Sequence, residues 1–210
     1  MTDMRLKPTA VIGCSFLAGA IPNSNIAARR RAAVDLRDVG TGTVSGTGLF
    51  EVAGFGPLAV AGIADIAKAT VGPLLAGRRR PLLAAVAGGA AIAGHNWSPF
   101  LRGAGGRGFA PSLGVLGVTA WRGVPLMLGG LVAGRAFRQT GLGGFVAQCA
   151  LGPVLLRTDG RRGAVVAACV VAPMWAKRLV GNRPPPERTG RAYAHRLIFD
   201  ADTRVPEGTA

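Results

Sequence analysis

Acidic residues are scarce in this chain of 210 residues: 10 Asp and Glu stand against 25 Lys and Arg, a formal charge of +15. Aromatic residues make up only 6%, and there are three Cys and two His. Cys14, Cys149 and Cys169 lie singly in apolar stretches, without CxxC spacing or a neighbouring His, so neither a metal set nor a disulfide framework is indicated. They read as small buried hydrophobes. The 33 Gly follow no strict period, which excludes a collagen-like fibre, and an apolar share of 49% excludes disorder. No repeat or heptad pattern runs through the chain. A charge of +15 would ordinarily suggest nucleic acid. Here the cations sit in short clusters between long uncharged apolar stretches, which is the pattern of a membrane protein, and no nucleic-acid partner is expected.

A bilayer-crossing helix needs about 20 apolar residues. The first candidate span, 8–28, follows Arg5 and Lys7 and imitates a secretory signal, but it continues to Ala28 and reads as a retained span. Spans at 52–77 and 81–94 follow. The run 110–137 divides at 121–125, because Arg122 at mid-bilayer would cost at least about 2.5 kcal/mol. Stretches 141–156 and 163–176 complete seven. The expected fold is therefore all-α, a polytopic membrane helix bundle of about seven transmembrane helices with Gly-rich cytoplasmic loops. Residues 1–183 form the membrane domain, and 184–210, opening on Pro184-Pro185-Pro186, read as a polar, flexible tail.

Seven spans place the termini on opposite sides. With the N-terminus outside and the C-terminus in the cytoplasm, fifteen Lys and Arg fall in inner segments, nine in outer ones, and Lys68 inside a span. Only Arg78-Arg79-Arg80, on the outer side, speaks against this orientation.

Four features carry the chemistry. Gly40-Thr41-Gly42-Thr43-Val44-Ser45-Gly46-Thr47-Gly48 could turn backbone N–H groups toward an anion, or be an ordinary flexible loop. Gly105-Gly106-Arg107-Gly108 joins a cation to a Gly-rich turn just before a span, as a phosphate cradle would. Asp65 and Lys68 lie three residues apart within one span, where they can pair with each other, contact substrate, or do both. His95, beside Asn96 and Trp97, ends a span and reads either as an interfacial anchor or as a supporting site residue.

The tail contains His195-Arg196-Leu197-Ile198-Phe199-Asp200, which matches the His-x4-Asp dyad of a different glycerolipid acyltransferase family, and Val205-Pro206-Glu207-Gly208-Thr209 is similar to that family's later motif. There the two motifs are separated by most of an α/β domain. Here some fifteen residues hold both, with no scaffold to orient the imidazole.

In order and spacing, the segments resemble the bacterial acyl-phosphate:glycerol-3-phosphate acyltransferases, the small polytopic PlsY family. The resemblance rests on the Gly40 to Gly48 loop, on Asp65 and Lys68, on Gly94-His95-Asn96-Trp97-Ser98-Pro99-Phe100-Leu101 followed by Gly105-Gly106-Arg107-Gly108-Phe109-Ala110, and on Lys177-Arg178-Leu179-Val180. It implies transfer of a fatty acyl group from acyl phosphate to the 1-hydroxyl of glycerol 3-phosphate in a bacterial cell membrane, giving lysophosphatidate for phospholipid synthesis. It implies no cofactor and no metal. Thr41, Thr43, Thr47 and Lys68 would orient substrate. Gly105, Gly106, Arg107, Gly108, Lys177 and Arg178 would hold phosphate, with Asp65 and His95 in support.

The chain also departs from that pattern. Thr41 and Thr43 replace Ser and Asn, Gly48 and Glu51 stand for Asn and Arg, and Arg107 replaces Lys. Ala172 and Trp175 stand where the third motif has His and Asn. Two readings stay open: a divergent enzyme, or a non-catalytic membrane protein of the same fold that binds an anionic lipid or a partner enzyme.

Overall fold

A computed structural model describes residues 6–40 and 42–202. Among them the chain forms nine α-helices: α1 (Pro8–Ala20), α2 (Asn23–Ala32), α3 (Gly46–Ala53), α4 (Phe55–Ala76), α5 (Pro81–Asn96), α6 (Phe109–Thr119), α7 (Gly123–Ala136), α8 (Thr140–Val180) and α9 (Gly190–Phe199). Short 3-10 turns lie at Leu36–Asp38 and Pro99–Leu101, and the described residues contain no strand. The all-helical expectation holds. By length and composition, Pro8–Ala32, Phe55–Ala76 and Thr140–Val180 can cross a membrane, and α6 and α7 are shorter apolar helices.

The breaks explain the differences from the expected spans. The span at 8–28 is interrupted at Ile21-Pro22, because Pro22 has no N–H to donate and presses the preceding residue out of the helical region; Ile21 adopts φ −59° and ψ 118°. The break leaves the Ile21 carbonyl open to a side-chain donor. Gly54, at φ 79°, separates α3 from α4 inside the expected 52–77 span. Gly160 (φ 65°, ψ −154°) kinks α8 between the two expected stretches 141–156 and 163–176.

Small residues let the helices approach closely, which matters where lipid removes the hydrophobic drive for association. A Cβ at Gly19 of α1 would stand 2.1 Å from the Ala91 carbonyl oxygen of α5, and one at Gly94 would stand 2.1 Å from the Phe16 carbonyl oxygen. The main core, including Ile92, Leu116, Met127, Leu151, Leu155 and Val170, lies among α5, α6, α7 and α8. A smaller cluster of Leu36, Val44, Leu49 and Leu101 lies under the Gly-rich loops. Phe55, Val60 and Ile63 of α4 are each about 70% exposed, as expected of a face turned to lipid. Cys14 and Cys149 are also exposed and Cys169 is half-buried, not the three buried residues expected. Lipid tails accept a thiol as readily as a protein core does.

The expected flexible tail contains α9. Thr189 caps it, its Oγ1 accepting from the Ala192 N–H at 3.2 Å. Buried Arg196 fastens the helix to the bundle by donating to the Arg183 carbonyl at 3.0 Å and by pairing with Asp202. Such docking through arginines and carbonyls leaves no apolar period in the sequence. The Val205 to Thr209 motif lies outside the described residues.

Candidate functional site

The i, i+3 spacing on α4 puts Asp65 and Lys68 side by side, both buried, with Lys68 Nζ 2.7 Å from Asp65 Oδ1. The break before α2 supplies the rest of the cage. Lys68 Nζ donates to the Ile21 carbonyl at 2.5 Å, and Asn23 Nδ2 donates to Asp65 Oδ1 at 3.0 Å. The third Lys68 contact is His95 Nδ1, 3.2 Å away on α5. An ammonium has three protons and no acceptor, so with Lys68 charged, His95 Nδ1 accepts and Nε2 carries the imidazole proton. That nitrogen faces Gly106, since a Cβ built there would lie 2.2 Å from it. Lys68 therefore orients His95 toward the Gly105-Gly106 turn.

The two Gly-rich loops form one structure. Val44 N–H donates to the Gly105 carbonyl at 3.1 Å, and Gly106 N–H donates to the His95 carbonyl at 3.2 Å. Asn182 clamps both loops: Nδ2 donates to the Gly42 and Gly105 carbonyls at 2.9 and 2.8 Å, and Oδ1 accepts from Gly105 N–H at 3.2 Å. Ser98 holds the base of the turn, its Oγ donating to the Ala20 carbonyl at 2.6 Å. Several N–H groups that the sequence suggested for an anion are thus engaged by protein. Gly42 N–H donates to Val39, and Gly48 N–H donates to Ser45 Oγ, the N-cap of α3.

Thr41 lies outside the described residues, Thr47 is exposed in the first turn of α3, and the Thr43 carbonyl accepts from Ser45 N–H at 2.9 Å. Gly108, at φ 79°, starts α6.

The expected phosphate-binding cations take three directions. Lys177 is fully buried, its Nζ 3.4 Å from the Gly103 carbonyl and 5.3 Å from the centre of the Trp97 ring. Arg107 Nη1 donates to the Lys177 carbonyl at 2.8 Å, and its Nε lies 2.8 Å from Asp200 Oδ1, an ion-pair contact without hydrogen-bond alignment. Arg178 turns away from the loops and binds the end of α9, donating to the Leu197 carbonyl at 2.8 Å and to Gly141 at 3.1 Å. Burial pushes the Asp200 carboxyl up from its ordinary pKa, opposed by Arg107, Arg178 and Arg196. Near the loops, the hydrogen bond from Arg37 holds Asp35 well below the usual carboxylate range.

Asn23, Ser24, Asp65, His95, Gly105 and Gly106 enclose a cavity of about 10 Å3, room for one water. The larger cleft, about 550 Å3, lies beside α9 among Arg138, Thr140, Gly141, His195 and Phe199 and contains none of these loop residues. No dyad forms in that cleft. His195 Nδ1 lies 2.9 Å from the Ala201 carbonyl oxygen, while Asp200 turns to Arg107. Among the described residues no group of three His, Cys, Asp or Glu converges on a metal position. Asn23, Ser98 and Asn182 escaped the sequence reading. Their only signal was an isolated polar residue at a helix break; Ser98 and Asn182 bind backbone groups that no side-chain motif records, and Asn23 meets Asp65 from 42 residues away.

A family model described as Glycerol-3-phosphate acyltransferase matches residues 9–181. A glycerol-3-phosphate acyltransferase of Synechococcus sp. (strain CC9902) is 32% identical over 193 residues, 86% of this chain and 96% of the relative. That of Desulforudis audaxviator (strain MP104C) is 41% identical over 108 residues, and the match spans only about half of each protein, 50% of this chain and 54% of the relative. In fold, the chain is similar to the crystal structure of PlsY, an integral membrane glycerol 3-phosphate acyltransferase, in its glycerol 3-phosphate form. That likeness has TM-score 0.75 at 21% identity and covers 94% of this chain and 95% of the other.

Proposed function

The chain belongs to the glycerol-3-phosphate acyltransferase family, and from that premise we propose that it transfers a fatty acyl group from acyl phosphate to the 1-hydroxyl of glycerol 3-phosphate, giving lysophosphatidate. The observation that carries this reading is the meeting of Lys68, His95 and Gly106 beneath the paired loops, with Arg107 in the turn itself and Lys177 beside it at the end of α8. An acyl phosphate is a mixed anhydride, already activated, so the hydroxyl can attack it without a protein nucleophile. The new bond joins the hydroxyl oxygen to the acyl carbon, the bond from that carbon to the phosphate oxygen breaks, and the departing inorganic phosphate takes up the hydroxyl proton. What the protein must supply is two phosphate sites close together and donors for charge on the carbonyl oxygen. Arg107 and Lys177 serve the phosphates, and His95 Nε2 is a neutral donor aimed at the turn. The acyl chain enters between helices from the bilayer.

Purified protein incubated with acyl phosphate and labelled glycerol 3-phosphate should release lysophosphatidate. Absence of product from folded protein would favour the alternative, a non-catalytic membrane protein of the same fold that binds an anionic lipid or a partner enzyme. Trp175 favours that alternative: it stands at a position of the third motif, and its Nε1 is engaged by Gln148 Oε1 at 2.9 Å.

Seven crossings with the N-terminus outside and the C-terminus in the cytoplasm are also proposed, on the distribution of basic residues. A reporter fused after Ala210 should be cytoplasmic, and one inserted near Arg79 should be outside. Reporters on the same side would require an even number of crossings between them and overturn the seven-span topology.

A further inference from the structure

We propose that Asp200, at the C-terminal end of α9, is a positioning residue that fixes the Arg107 guanidinium for a phosphate-bearing substrate, so that α9 is part of the transfer site. The proposal rests on the acyltransferase reading and adds a residue to it. Arg107 is the cation of the Gly105-to-Gly108 turn, and its planar head is held on two edges, by the Lys177 carbonyl at Nη1 and by Asp200 at Nε. The hydrogen bond to the Lys177 carbonyl and the opposite charge beside Nε together restrain the fork. Nη2 donates to no group among the described residues and stays available for a phosphate oxygen, the ligand whose geometry a guanidinium matches.

The charges require such a residue. Arg107 lies within electrostatic reach of both Lys177 and Arg178, and cations near one another at partly buried positions repel. Asp200 is the acidic residue that faces Arg107. Its own position is secured by backbone. It adopts φ 54° as the C-cap of α9, with its N–H donating to the Arg196 carbonyl at 2.9 Å. Asp and Asn tolerate this left-handed conformation better than most residues. Arg178, donating to the Leu197 carbonyl, meets the negative end of the helix dipole and pins α9 independently of Asp200. Arg196 adds a second anchor through the Arg183 and Val180 carbonyls. Removing the Asp200 charge should therefore release Arg107 without releasing α9. Asp200→Asn is the suitable change, because it keeps the shape and the backbone preference and loses only the charge.

The test uses the full chain in detergent, with KM measured separately for acyl phosphate and glycerol 3-phosphate. Asp200→Asn should raise KM about tenfold for the substrate whose phosphate Arg107 holds, the scale of one charge-assisted hydrogen bond, with kcat and detergent melting temperature nearly unchanged. Asp200→Glu should recover part of the loss. In an Arg107→Ala background, Asp200→Asn should have no further effect, since a positioning residue acts only through its partner. An undiminished effect there would overturn the proposal, and so would an unchanged KM. A lowered KM would show instead that α9 competes with substrate for Arg107, which would also overturn it. Protection of the protein against heat by glycerol 3-phosphate and by inorganic phosphate gives a second readout without turnover. If wild-type protein is protected but forms no product, catalysis fails as a reading. Asp200 then stands or falls on whether Asp200→Asn abolishes that protection.

Discussion

Lys68→Ala should reduce acyl transfer by at least about 100-fold, the scale on which loss of one well-placed donor acts in active sites. The reason lies in the cage. Lys68 joins Asp65, the Ile21 carbonyl and His95 Nδ1, and both members of the ion pair are about 5% exposed at the side chain. Removing the ammonium leaves a buried carboxylate without its main partner, which costs about 3–5 kcal/mol. It also frees the imidazole to rotate away from Gly106. The detergent melting temperature should fall on the order of 10 °C for a protein of this size. Loss of fold and loss of function must then be separated. The double variant Asp65→Asn, Lys68→Met removes both charges at nearly constant volume, and replacing a buried pair in this way is often close to neutral. It should melt near the wild-type temperature and remain inactive. A double variant that turned over normally would leave Lys68 a structural role only.

Gly106→Ala should abolish activity as thoroughly, for a different reason. The added Cβ would stand 2.2 Å from His95 Nε2 and 3.0 Å from the Val44 carbonyl oxygen, so the imidazole must leave the turn. Gly105→Ala meets backbone, with the His95 and Asn96 carbonyl oxygens both at 2.3 Å. Side chains can move aside, whereas a helix end cannot. Gly105→Ala should therefore lower both expression and melting temperature, and Gly106→Ala should lower activity with a smaller thermal loss. Removing the obstacle tests the assignment directly: His95→Ala in the Gly106→Ala background should restore the melting temperature without restoring acyl transfer. Recovery of activity in that double variant would show that His95 only fills space.

The orientation of charge along the chain, the apolar stretches and the Gly-rich turns were all legible in the amino-acid order, because each depends on residues near one another in sequence. The Asp65 and Lys68 pair belongs to the same class, since a three-residue spacing on a helix brings two side chains together whatever the rest of the fold does. The interruption at Trp121-Arg122-Gly123 was equally local, and α6 and α7 end and begin around it. Gly160 and Pro22 carried their breaks in their own backbone chemistry, although the break at Pro22 was concealed inside a run long enough to span.

Long-range placement was a different matter. Asn182 joins loops some 80 and 140 residues away through backbone carbonyls, and every residue type offers a carbonyl, so no motif marks it. Lys177 and Arg178 are adjacent in sequence yet serve different neighbours of α8, because successive helical residues point about 100° apart. Read as a pair, they looked like two phosphate ligands. The sequence by itself determined an all-helical membrane protein with a buried charge pair and two Gly-rich turns. The tertiary structure alone decided that the turns share one clamp, that Lys68 acts on His95, and that α9 returns a carboxylate to Arg107. Each of these depends on chain crossings of α1, α5, α8 and α9, and a crossing fixes which groups meet only once the helices have packed.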